Sequence, residues 1–61
     1  MKYEGNIGNY SFIMNEDDII EVWSDMDMEQ PETYIFVKSG SIKDKKAFDA
    51  EISFWWMEKN R

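Results

Sequence analysis

Neither cysteine nor histidine occurs in this chain, and in 61 residues that absence constrains the fold more than anything present. A chain this short buries only about 60% of the surface it exposes when unfolded. Domains of this size usually lean on disulfides, a structural metal, self-association or dense packing. Without cysteine there are no disulfides and no thiolate metal sites. Without histidine the commonest metal ligand and the commonest general base at neutral pH are missing too. Aromatic packing and association remain. Ten residues are Phe, Trp or Tyr, enough to build a core and more than one small domain readily hides.

Hydrophobic periodicity predicts one α+β domain over residues 1–61: a three-stranded antiparallel β-meander (about 9–14, 19–24 and 33–39) packed on one C-terminal α-helix (about 43–59). Gly5-Asn6 and Gly8-Asn9 favour turns or irregular backbone, and the pattern leaves open whether Tyr3 to Ile7 adds a strand. Asn15 to Asp18 is turn chemistry between two β-branched and aromatic runs. Ser24 to Thr33 is a polar loop containing Pro31. Ser41 is a candidate N-cap, with Asp44 three residues on. Along the helix, Phe48, Ile52, Trp55 and Trp56 fall on one side. Ala47, Ala50, Phe54 and Met57 form a second apolar stripe, for which a single small sheet has no use.

Strand alternation then raises a problem of cover. If Phe12, Ile20, Val22, Ile35 and Val37 face the helix, Ile13, Ile19, Trp23, Tyr34 and Phe36 face away, flanked by Glu21 and Lys38. The opposite register satisfies the pattern equally. Either way one apolar sheet face lacks an obvious cover, unless loop 24–33 or the N-terminal segment folds over it. Uncovered apolar patches commonly mark interfaces, and Trp and Tyr are frequent anchors there.

The charge is unevenly distributed. Residues 1–37 hold nine acids against one base, and residues 38–61 hold four acids against six bases, within an overall net charge of −6. A strongly acidic half argues against direct nucleic-acid binding, which needs a basic footprint. It suits the reverse arrangement, an acidic surface that occupies a basic groove on another protein. Small acidic anti-defence proteins of phages and mobile elements have this size and charge; the likeness is one of composition, with no motif behind it.

Motifs for chemistry fail on spacing. Asp25, Asp27 and Glu29 alternate like the start of a calcium loop, but the positions that need glycine and a bidentate glutamate hold Gln30 and Phe36. Glu16, Asp17, Asp18 and Glu21 read as a charged turn more readily than as a metal site. Paired carboxylates suit glycoside chemistry only within a cleft that shifts one of their pKa values, and a small sheet under one helix offers little room for one. No nucleophile elbow or glycine-rich phosphate loop is present.

The expectation is therefore a non-enzymatic protein-binding module with no catalytic, cofactor or metal site. Its partner is a protein with a basic surface, engaged by Asp17, Asp18, Glu21, Trp23, Asp25, Asp27, Glu29 and Tyr34, and its most specific form is an inhibitor that occupies a nucleic-acid-binding surface. The alternative is a structural homo-oligomer, such as a homodimer, joined through the uncovered aromatic sheet face. No apolar leader or membrane-length apolar run is visible, which points to the cytoplasm of a cell or of a host cell and away from membranes.

Overall fold

A computed structural model of the chain describes residues 2–26 and 29–61. The elements run β1 (Tyr3–Ile7), β2 (Tyr10–Met14), β3 (Ile19–Ser24), β4 (Thr33–Phe36) and α1 (Lys45–Lys59). The four strands form one antiparallel sheet in the order β1-β2-β3-β4. The architecture is α+β, as the periodicity predicts, with four strands where the sequence pattern gives three.

The added strand is β1, and its glycine explains why the pattern is hard to read. Gly5 sits inside the strand opposite Phe12. A Cβ placed there would lie 3.1 Å from Ile52 Cδ1 and 3.4 Å from Phe48 Cε2. The missing side chain is what lets the helix approach β1, a recognised use of glycine within strands. Gly8, in contrast, is a true turn residue. It has φ +58° at the first position of the two-residue loop joining β1 to β2, as a type II′ hairpin turn requires.

The β2–β3 connection closes around its acids. Asp17 Oδ1 accepts the Ile19 N–H at 3.3 Å, and Asp18 takes φ 59°, a conformation that Asp tolerates better than most residues. β4 ends at Phe36, earlier than the expected 39. Val37 still donates its N–H to Asp18 O at 3.4 Å, but a turn follows, with Ser41 N–H bonded to Lys38 O at 3.0 Å.

The helix starts two residues later than expected, and its cap is Asp44, not Ser41. Asp44 has extended backbone, and its carboxylate accepts the Ala47 N–H at 2.8 Å, the ordinary N-cap to N3 bond. The reason for the delay is Ile42, only 4% exposed. The chain stays non-helical through 42–43 so that this side chain can reach the core. At the other end the Asn60 N–H and Nδ2 both bond to Trp56 O.

The core lies between the helix and one sheet face. Phe12, Met14, Ile20, Val22, Ile35, Ile42, Phe48 and Ile52 are buried there, with Tyr3, Ile7, Tyr10, Val37, Ala47 and Trp55 packed around them. Aromatic contacts carry much of this packing. Tyr3 stacks on Phe48 at 5.7 Å between centroids, and Trp55 meets the rings of Tyr10 and Phe12 edge-on at 5.6 Å each. The Lys59 ammonium lies 5.7 Å from the Tyr10 ring centroid and 5.6 Å from that of Trp55, within cation–π range. The α1 helix is too short and polar to cross a membrane.

Candidate interaction face

The strand register decides which residues face away from the helix. Phe12, Ile20, Val22 and Ile35 are buried beneath it, so the alternating set points to the other side. Across the strands this set forms rows: Glu4 opposite Ile13, Ile13 opposite Glu21 and Glu21 opposite Tyr34; Asn6 opposite Ser11 and Ser11 opposite Trp23; Ile19 opposite Phe36. The first of the two registers allowed by the sequence is the one adopted. The N-terminal segment does not fold over this face, because it is β1 within the same sheet. Phe36 is 75% exposed and Tyr34 48%. Among the described residues the shortest dimension is 16 Å, room for sheet and helix, since packed layers lie about 10 Å apart, but not for a third layer of described residues.

Polar side chains on this face are tied to one another. Glu21 is the hub: its Oε1 accepts the Trp23 indole N–H at 3.1 Å and its Oε2 accepts Asn15 Nδ2 at 3.2 Å. Both bonds hold the carboxylate in place, and the first fixes the indole. Ser11 Oγ donates to Asn6 Oδ1 at 2.8 Å. The Tyr34 and Phe36 rings lie beside each other, 6.4 Å between centroids.

Between these groups runs a shallow groove of about 370 Å³, with Asn6, Ser11, Ile13 and Trp23 along it and Glu4 and Asp25 in its lining. It exists because Asn6 and Ser11 are small beside Trp23. No protein-family model, curated protein or solved structure matches the chain. The reading of this face therefore rests on its own geometry.

The residues expected to bind a partner are only partly gathered. Glu21, Trp23 and Tyr34 share the uncovered face, and Asp25 joins them at the groove. Asp17 and Asp18 lie at the opposite end of β3 from Asp25. The strand separates them by about 20 Å at roughly 3.3 Å per residue, so the acids do not form one cluster. Asp17 also serves its own turn through Ile19. Glu29 is exposed in the β3–β4 loop, and Asp27 lies outside the described residues.

Glu4, Asn6 and Ser11 belong to the face and went unrecognised in the sequence. For Glu4 and Asn6 the signal is alternation along β1, with Tyr3, Gly5 and Ile7 inward, weakened where the inward position is a glycine; for Ser11 it is alternation along β2 between Tyr10 and Phe12. A second apolar surface lies on the far side of the molecule, where Phe54 and Met57 are 61% and 62% exposed on the helix.

Proposed function

We propose that this chain is a non-enzymatic protein-binding module that engages a basic surface of its partner with the uncovered face of its sheet. The observation behind the proposal is that face itself: five large apolar residues across β2, β3 and β4, two of them well exposed, set among Glu4, Glu21 and Asp25. Apolar residues supply affinity in such a contact, and the carboxylates supply orientation and selection against acidic partners. The same carboxylates repel phosphate, which favours a protein partner over a nucleic acid. In the most specific form of this reading the partner's basic surface is one that normally binds nucleic acid, and the chain inhibits by occupying it.

Exposure of Phe36, Phe54 and Met57 also suits a second reading, self-association. A symmetric pairing of the uncovered faces would press Glu4 and Glu21 of both copies into one interface, where unpaired carboxylates are costly. The partner-binding reading avoids that penalty.

The test is capture of a defined partner from lysate, followed by measurement of its affinity at rising ionic strength. Binding should weaken steeply as the screening length shrinks from about 10 Å at 0.1 M to about 3 Å at 1 M salt. Affinity that does not change across that range sinks the proposal.

A further inference from the structure

The groove on the uncovered face has a more particular shape than a general docking surface needs. Its lining includes two small polar side chains, Asn6 and Ser11, already bonded to each other. Trp23 stands along it, its indole fixed by the bond to Glu21. The lining contains two carboxylates, Glu4 and Asp25, and no base. Such a slot suits a long side chain with an apolar stem and a cationic end. Its volume of about 370 Å³ lies at the lower end of the range for small-ligand pockets, about 300–1,000 Å³.

Resting on the partner-binding reading above, we propose that this groove is the seat of one arginine side chain presented by the partner protein. The stem lies along Ile13 and Trp23, and the guanidinium reaches the Asp25 carboxylate; Glu4, two strands across and about 16 Å away at roughly 3.3 Å per residue and 4.8 Å per strand, marks the other end of the groove. Arginine fits better than lysine for two reasons. Its planar head can stack on an indole, and its fork of donors can serve a carboxylate with two bonds at once. The pinned indole adds to this, because a wall that is already fixed loses less freedom on binding. Asp17 and Asp18, at the far end of β3, take no part.

The experiment is amide and indole NMR of the full chain at low salt, titrated with a capped tripeptide carrying one arginine between glycines. The lysine and citrulline counterparts serve as comparisons. The expected result is movement of the Trp23 indole N–H and of the Ser11 and Asp25 amides with arginine, weaker movement with lysine and none with citrulline. Asp25→Asn should weaken the arginine peptide by roughly two- to fivefold, the range for exposed ion pairs. Asp17→Asn with Asp18→Asn, which removes more charge elsewhere, should leave its affinity unchanged.

Equal response to arginine and lysine, movement centred on the 15–18 turn, or no response at all would each overturn the arginine seat. The broader reading fails on a different result, salt-insensitive affinity for the captured partner, so the two failures are distinguishable.

Discussion

Phe36 and Phe48 are the same residue type with opposite duties. Phe48 is fully buried against Tyr3 and the sheet, and Phe36 is 75% exposed on the other side. Truncating a buried phenylalanine typically costs about 3–5 kcal/mol. At roughly 0.05–0.15 kcal/mol per residue, a domain of this length holds about 3–9 kcal/mol in total. Phe48→Ala should therefore remove at least about a third of the stability, and all of it if the total lies near the lower end of that range. Phe36→Ser should change stability by no more than about 1 kcal/mol, the scale of strand propensity and of a neighbouring aromatic contact at an exposed strand site. Thermal or denaturant unfolding of the two variants checks both. A large loss of stability from Phe36→Ser would mean that something in the chain packs on the open face.

At the scale of elements, the helix start is the sharpest case. Asp44→Ala should cost about 1 kcal/mol, because the Ala47 N–H loses its acceptor. Ser41→Ala should have an effect within about 0.5 kcal/mol, since Ser41 is exposed and its N–H, not its side chain, holds the preceding turn. The reverse order in denaturant melts would place the helix start at Ser41. The sequence favours Ser41 because a capping rule looks only a few residues ahead. The decision comes from Ile42, whose burial depends on a core that forms across distant strands. β1 was illegible for a related reason. Gly5 reads as a turn residue in isolation and proves to be a strand residue once Ile52 and Phe48 are laid over it. The β2 and β3 strands and the body of the helix were legible because their alternation and 3.6-residue period repeat over enough residues to survive local exceptions. The candidate site was legible at Glu21, Trp23 and Tyr34, which lie in those strands. It was misread at Asp17 and Asp18, because proximity in sequence hides the length of β3 between them and Asp25.

For the whole molecule, the uneven charge along the chain becomes layering in space. The acidic first 37 residues supply every strand of the sheet, and the slightly basic remainder supplies the helix that covers one side of it. With a net charge of −6, copies of the chain repel one another, and apposed sheet faces would bring like carboxylates together. The chain should therefore sediment as a monomer at micromolar concentration and moderate salt; a stable dimer would favour the self-association reading. The surfaces left uncovered, the sheet face and the Phe54/Met57 stripe, lie on opposite sides, so they can be removed separately without touching the core between them. The most direct test is the affinity of the captured partner for two double variants, Tyr34→Ser with Phe36→Ser on the sheet and Phe54→Ser with Met57→Ser on the helix. Loss of central anchors commonly costs 2 kcal/mol or more, so the sheet pair should weaken binding by roughly thirtyfold while the helix pair leaves it unchanged. Wild-type affinity in the sheet pair, with loss in the helix pair, would contradict the account.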